Sequence, residues 1–191
     1  GSPVAWALRR EGFAKQQRIN GPDLMWRYLA IAERIGQTVY FYGSTEATLE
    51  KLRQRLALHF PNLRIAGTLS PAFRELTAQE DQAHVDAINQ SGAHVVFVGL
   101  GCPKQEAWMA QHRGRVHTVM IGVGAAFDYH AGTLRRAPVW MQKAGLEWLH
   151  RLASEPRRLM KRYASTNSVF VGRLMKTWFI EHTPHKNGQS L

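Results

Sequence analysis

Short apolar segments that alternate with helical patterns constrain the fold of this chain most strongly. Three of them, Gln37–Gly43, Ala93–Val98 and His117–Val123, are rich in β-branched and aromatic residues. Unbroken apolar strands are typical of a parallel sheet buried on both faces, in which the helices between strands form the crossover connections. The alternation therefore predicts an α/β fold, a Rossmann-like parallel sheet flanked by helices.

Helical periodicity and capping residues predict the elements between these strands. Ser44 or Thr45 can cap one helix, and Thr77 with Glu80 fits a capping box at the start of another. The apolar faces of these two helices contain Leu49, Leu52, Leu56 and Phe60 in the first, and Val85 and Ile88 in the second. The other predicted elements are helices over Val4–Arg10, Asp23–Ile35, Pro138–Ala144 and Leu146–Ser154, a helix from Pro103 to near Gly114, and a short strand at Leu63–Ala66.

Positive charge is concentrated in the C-terminal third of the chain. The 191 residues carry a formal net charge of +11. Residues 1–134 contain 14 Lys/Arg and 11 Asp/Glu, a net of +3, whereas residues 135–191 contain 11 and 3, a net of +8. We therefore expect an α/β domain over residues 1–137 and a helical, basic appendage over residues 138–191 that faces an anionic partner.

Composition excludes several other classes of protein. A single cysteine excludes a disulfide scaffold and a cysteine-rich zinc site. The sequence has neither an apolar run long enough to span a membrane nor a signal-peptide pattern, so a cytoplasmic protein is expected. It also lacks the Asp-x-Asp pair with which many sugar-nucleotide enzymes hold a metal and a diphosphate.

The segment Val98–Glu106 is the most informative one for function. A buried strand ends in Gly99 and Gly101, and Pro103 then begins a helix that carries Lys104 and Gln105. Glycines allow a ligand close to the backbone, and a helix N-terminus attracts anions, so a phosphate or diphosphate is the expected ligand. The alternative is a tight strand-to-helix turn with a solvated lysine, and the spacing does not distinguish the two.

A second loop at the same predicted edge of the sheet carries Asp128 and His130. Asp128 could accept hydrogen bonds from a nucleobase or sugar, or it could cap its own loop. For His130 a packing or turn role is favoured. Arg18 precedes the turn before the second helix and could face a pocket or the solvent.

Basic and aromatic residues are interleaved from Pro156 to Trp178. Tyr163, Phe170 and Trp178 can share one helical face, with cations around it. This composition suits an anionic membrane surface, although a helix docked on the domain or an RNA-binding surface would also fit it.

These segments together resemble the WecG/TagA/CpsF family of glycosyltransferases. The resemblance extends in order over nearly the whole chain, from about residue 3 to residue 180. Its motifs are Arg18–Leu24, Val98–Glu106, Gly122–Asp128, Ala131-Gly132, Arg136–Pro138, Gly145–Arg151 and Glu155–Tyr163.

The resemblance implies transfer of a hexosyl or N-acetylhexosaminyl group from a UDP-sugar to a polyprenyl-diphosphate-linked acceptor. Such enzymes invert the anomeric centre without a required metal or other cofactor. They act in surface or exopolysaccharide synthesis, at the inner face of the bacterial plasma membrane. The implied partners are the UDP-sugar, the lipid-linked acceptor and an anionic membrane surface, with no nucleic acid.

The resemblance also implies roles for particular residues. Gly99, Gly101, Pro103 and Lys104 would hold the UDP diphosphate, with Gln105 as a supporting residue that bonds donor or acceptor. Asp128 would face the uracil or ribose. The remaining residues assigned to substrate binding are Arg18, Gly43, and the arginines Arg157, Arg158 and Arg162, which would close over the phosphates.

Two departures from the family pattern are present. The usual Gly-Tyr-Phe after the second strand is replaced by Ser70–Phe73, which has no tyrosine. The family's N-terminal region, with the expected general base, has no counterpart here, so that base is expected to lie upstream of Gly1. A basic RNA-binding module and, less favoured, a nicotinamide-dependent oxidoreductase are the alternative functions; the second lacks the third glycine of a dinucleotide fingerprint.

Overall fold

The protein forms two compact units, residues 1–135 and residues 136–191, and the computed structural model describes residues 2–154, 156 and 159–160. In chain order the first unit contains α1 (Ser2–Arg10), α2 (Gly21–Ile35), β1 (Thr38–Gly43), α3 (Glu46–His59), β2 (Arg64–Leu69), α4 (Ala78–Gln90), β3 (Val95–Gly99), α5 (Lys104–Gln111), β4 (Val119–Gly122) and α6 (Ala126–Ala131). The described part of the second unit contains α7 (Val139–Lys143) and α8 (Glu147–Ser154).

The four strands form one parallel sheet in the order β2-β1-β3-β4. The chain passes from β1 to β2 in one direction along the sheet and from β3 to β4 in the other. The strand order therefore reverses between β1 and β3, and this reversal forms a topological switch point at their carboxyl ends. The predicted α/β class with a Rossmann-like parallel sheet is confirmed.

Two apolar layers cover the two faces of the sheet. On one face α2, α3 and α6 pack over Phe41 and Phe97, and on the other α4 and α5 pack over Tyr42 and Val98. Because both faces are buried, the strands cannot alternate apolar with polar residues, which explains the continuous apolar runs of the sequence.

The two predicted helix caps are present as predicted. Thr45, rather than Ser44, caps α3 by accepting a hydrogen bond from the Thr48 amide. Thr77 and Glu80 form a reciprocal capping box at the start of α4. The apolar face predicted for α3 is buried at all four positions, Leu49, Leu52, Leu56 and Phe60.

The segment expected as a loop around Asp128 and His130 is instead the helix α6, and β3 and β4 are shifted or shortened by one or two residues. Two further boundaries differ for identifiable reasons. Strand β2 extends to Leu69 because its backbone pairs with β1 as far as Tyr42, a partnership that the local sequence does not reveal. Helix α5 ends at Gln111, before Gly114. The next residue, His112, caps the helix, and its buried side chain bonds to Asp81 of α4.

In the second unit a salt bridge joins the residues before α7 to the start of α8. The Nε of Arg136 lies 3.2 Å from Oε1 of Glu147, the first residue of α8. The helices predicted at Pro138–Ala144 and Leu146–Ser154 are confirmed with slightly shorter bounds.

Candidate functional site

The carboxyl ends of β1 and β3 approach each other closely at the switch point. Gly43 pairs with Gly99 at the last position of their register. A Cβ added to Gly43 would lie 2.6 Å from the carbonyl carbon of Gly99, and the φ of Gly43 is +122°. Only glycine fits both the space and the backbone angle, so this position is fixed by packing as well as by any ligand.

The β3 turn, Gly99–Lys104, leads from the switch point into α5. Gly101 has a φ of +79°, and the Cys102–Pro103 peptide bond is cis. Within the described part of the chain no side chain caps the first turn of α5. Helix α5 thus begins beside the crevice, the space at the carboxyl ends of β1 and β3. Its first turn presents backbone N–H groups and the positive end of the helix dipole, and Lys104 is exposed at the same place.

Gln105 points in a different direction from Lys104. It is only 6% exposed, and its Oε1 accepts a hydrogen bond of 2.9 Å from the amide of Gly124. Its Nε2 donates to Oε1 of Glu106. Gln105 therefore connects the β3 turn to the β4 turn, defined here as Gly122–Asp128.

Asp128 lies at the carboxyl end of β1 rather than beside Lys104. The hydroxyl of Ser44 donates to its Oδ1 at 3.4 Å, and the Thr133 hydroxyl lies at the same distance. Ser44 has a φ of +58°, and its carbonyl accepts a hydrogen bond from the Ser70 hydroxyl at the end of β2. Ser44, at the end of β1, therefore links the end of β2 to the Asp128 carboxylate in α6.

The start of α2 packs on the β4 turn. A Cβ on Gly21 would overlap the carbonyl oxygen of Val123, so the two backbones are in direct contact. Asn20 caps the helix by accepting from the Asp23 amide, and Arg18, two residues earlier, is half-buried. The segment that carries Arg18 is thus anchored near the carboxyl edge of the sheet.

His130 has the packing role favoured from the sequence. Its ring stacks on Trp26 at 4.6 Å, and its Nε2 lies 2.9 Å from the carbonyl oxygen of Pro22. It therefore helps to hold α6 on α2.

A cavity of about 500 Å³ adjoins the β3 turn on the α4–α5 face. Leu100 and Lys104 line it from the turn, and Tyr42 and Trp108, whose rings stack at 4.5 Å, line it from the core. Pro71, from the segment that replaces the family's Gly-Tyr-Phe, is also part of the lining. The volume of the cavity is within the range of small-molecule sites.

The far end of α5 is anchored to α4 through Asp81. Asp81 accepts from Nε2 of His112 and from NH1 of Arg115, each at 2.9 Å. Partial burial alone would raise the pKa of the Asp81 carboxyl, but the hydrogen bonds from Arg115 and His112 outweigh it and lower that pKa. Burial raises the pKa of the Tyr42 phenol beside them.

Sequence reasoning missed several contacts that shape this site. Ser44, considered only as a cap, supports Asp128 instead, and the backbone contact of Gly21 with Val123 was not anticipated. The Asn-Gly-Pro-Asp turn does contain the signal for the latter, since a glycine before a helix start can mark a close approach. No local signal indicates the Gln105–Gly124 bond.

Three predicted site residues, Arg157, Arg158 and Arg162, lie outside the described residues. Among the residues that are described, no group of three or more His, Cys, Asp or Glu side chains is arranged to hold a metal ion. Of the predicted residues that are described, Gly101, Lys104 and Asp128 are accessible at the carboxyl edge of the sheet, whereas Gly43 is buried and Gly99 packs against Phe127.

The fold and this edge define an α/β protein with a topological switch point beside an uncapped helix start and an exposed lysine. Comparison with known families matches residues 1–184 to the glycosyl transferase WecG/TagA/CpsF family, and the chain belongs to that family. Its members are glycosyltransferases of cell-surface polysaccharide synthesis that use a nucleotide-sugar donor and a lipid-linked acceptor. Within the described residues no helix is long and apolar enough to cross a membrane.

Proposed function

We propose that this chain transfers a hexosyl or N-acetylhexosaminyl group from a UDP-sugar to a polyprenyl-diphosphate-linked acceptor. The transfer inverts the anomeric centre and requires no metal. It takes place on the cytoplasmic side of the bacterial plasma membrane, where the lipid-linked acceptor is presented.

The observation that carries the proposal is the open turn at Gly101, beside the switch point and directly before α5. A Cβ added to Gly101 would meet no atom within 4 Å, and the uncapped helix N-terminus and exposed Lys104 follow directly. A diphosphate carries the charge that these groups attract, and the open backbone lets it approach.

Each described residue has a part in this proposal. Lys104 and the start of α5 stabilise the negative charge that develops on the UDP leaving group as the glycosidic bond breaks. Asp128, at the end of β1, accepts hydrogen bonds from the uracil or ribose. Arg18, close in sequence to the contact of Gly21 with Val123, is proposed to bind donor or acceptor, and Arg157, Arg158 and Arg162 are proposed to close over the phosphates.

The supporting role first expected for Gln105 is redefined in this proposal. Because its Oε1 already accepts from Gly124, its contribution is to hold the β3 and β4 turns in register. A hydrogen bond from Gln105 to the sugar donor or to the acceptor substrate would have to use its Nε2, which in this structure donates to Glu106.

Calorimetric titration with UDP, UMP and a panel of UDP-sugars tests the proposal. We expect UDP to bind more tightly than UMP, because the second phosphate interacts with Lys104 and the start of α5. EDTA should leave the affinity for UDP unchanged if no metal is required. Binding of NADH in place of UDP, or a salt-steep affinity for RNA that exceeds the affinity for UDP, would contradict it.

A further inference from the structure

Most of the net positive charge of the first unit comes from its N-terminal segment. Residues 1–20 contain four Lys/Arg and one Asp/Glu, a net of +3, whereas residues 21–135 contain eleven and ten, a net of +1. The cations of the N-terminal segment are Arg9, Arg10, Lys15 and Arg18. A nearly neutral α/β body therefore carries one basic segment at its start.

The same segment exposes large apolar side chains. Trp6 is 49% exposed, and Phe13 and Ile19, in the connection between α1 and α2, are 59% and 65% exposed. Single exposed apolar residues are ordinary, but three within fourteen positions, interleaved with cations, are characteristic of a binding surface.

An open groove of about 700 Å³ lies within this surface. Phe13 and Ile19 line it together with Lys15 and with Arg27 of α2. Apolar walls combined with two cations suit a phosphate headgroup above hydrocarbon. A neighbouring cation, Arg10, lies 4.3 Å over the ring of Trp6, so this aromatic also has a positive charge at its face.

We propose that this N-terminal surface, Trp6 to Ile19 with Arg27, docks the first unit on an anionic lipid membrane. Charge complementarity selects the occupant, because anionic lipids attract Lys and Arg while tryptophan and phenylalanine insert at the interface. The docking is independent of the basic C-terminal appendage. The docking proposal rests on the proposed function only because the lipid-linked acceptor of that reaction lies in a membrane.

Vesicle sedimentation of the whole chain, without donor or acceptor, tests the surface directly. Vesicles of equal parts phosphatidylglycerol and phosphatidylcholine are compared with vesicles of phosphatidylcholine alone. The test variant is Arg9→Gln with Lys15→Gln, and the matched control is Lys51→Gln with Arg53→Gln, which removes two exposed cations from α3. At about 1 kcal/mol for each cation, the test variant should lose roughly 30-fold in partitioning and the control little.

A second pair of variants separates charge from apolar contact. Phe13→Ala should weaken binding to the anionic vesicles, whereas Leu58→Ala, which truncates an 81% exposed leucine on α3, should not. Arg9 lies in the last turn of α1, so its replacement also removes a favourable interaction with the helix dipole. Lys15→Gln alone is therefore measured as well, and a loss of about fivefold in partitioning is expected from it.

Equal losses in the two double variants, or unchanged binding of Arg9→Gln with Lys15→Gln, would overturn the proposal. A dimer in the absence of vesicles that Phe13→Ala dissociates would overturn it too, since the surface would then join two copies of this chain. The titration with UDP is measured separately on the same variants. Failure of the proposed function would appear there, and failure of the docking only with vesicles.

Discussion

The β3 turn and the β4 turn look alike in sequence but differ in what they do with their polar residues. Each follows a strand of the parallel sheet, β3 buried and the edge strand β4 only partly so, and contains two glycines and a short helix start. The β3 turn leaves Lys104 exposed at the crevice, while the β4 turn is occupied by contacts within the protein, from Gly21 and Gln105. Similar strand-to-helix turns can therefore expose their polar residues in one case and use them in internal contacts in the other.

The difference arises from what packs against each turn. The β4 turn is covered by the start of α2 on one side and by Gln105 of α5 on the other. In the β3 turn Phe127 of α6 contacts Gly99, but Gly101 and Lys104 stay open, because neighbouring crossovers leave in opposite directions at the switch point. Exposure is thus a consequence of strand order and not of the turn's own residues.

The largest effect is expected from filling the glycine at the end of β3. A Cβ on Gly99 would lie 2.6 Å from the ring of Phe127, which is fully buried and cannot move aside. We expect Gly99→Ala to lower the free energy of unfolding by about 3 kcal/mol.

The matched variant in the other turn is Gly122→Ala. Its Cβ would meet the ends of the Gln105 and Met109 side chains at 2.8 and 2.9 Å, and such side chains can adjust. The cost should be nearer about 1 kcal/mol. Chemical denaturation measures both variants, and a larger loss for Gly122→Ala would show that the β4 turn tolerates an added side chain less well than the β3 turn.

Lys104 and Gln105 provide the next test, because they are adjacent in sequence but contact different parts of the protein. Lys104→Ala should weaken UDP binding by about 2 kcal/mol, the value of a charge-assisted phosphate contact, with thermal stability intact. Gln105→Ala should lower the free energy of unfolding by about 2 kcal/mol, because the amide of Gly124 loses its acceptor.

Calorimetry and denaturation on both variants distinguish these outcomes. Lys51→Ala, on the exposed side of α3, is the control for loss of a cation. If Lys104→Ala leaves UDP affinity unchanged, the β3 turn has only a structural role, and the distinction between the two turns is lost.

A smaller, pH-dependent effect is expected at the other end of α5. The pKa of Asp81 is lowered from its ordinary 3.8 by its bonds to His112 and Arg115. These bonds therefore contribute stability above pH 3.8, and the contribution is lost as the pH falls through the lowered pKa of the folded protein. Asp81→Asn should cost about 1 kcal/mol at neutral pH and flatten the acid dependence of unfolding. Equal acid dependence in both proteins would show that Asp81 does not anchor α5.

The smallest effect on stability is expected at Asp128. Its side-chain contacts to Ser44 and Thr133 are both 3.4 Å long, so Asp128→Asn should change the free energy of unfolding by no more than about 0.5 kcal/mol. The carboxylate is thus available for a ligand despite its neighbours, and the variant should weaken UDP binding more than it weakens the fold. Denaturation and calorimetry on one preparation check both statements.

Much of the fold was predictable because local patterns agree with the tertiary structure. The capping box of Thr77 and Glu80 and the apolar face of α3 depend on residues within one turn or two of each other. The parallel sheet was predictable because burial on both faces requires continuous apolar strands. The place of Gly99, Gly101 and Lys104 on one strand-to-helix turn was predictable because these residues are close neighbours in sequence.

By itself, the sequence determined the α/β class, the helix caps, the basic C-terminal third and the glycine turns, since each depends on neighbouring residues. The tertiary structure alone decided that β1 pairs with β3, so that Gly43 meets Gly99. It also decided that Gln105 is buried against Gly124 while Lys104 stays exposed, and that Asp128 lies beside Ser44. These pairs lie between 19 and 84 positions apart. Strand order and helix packing bring them together, and no local pattern encodes them.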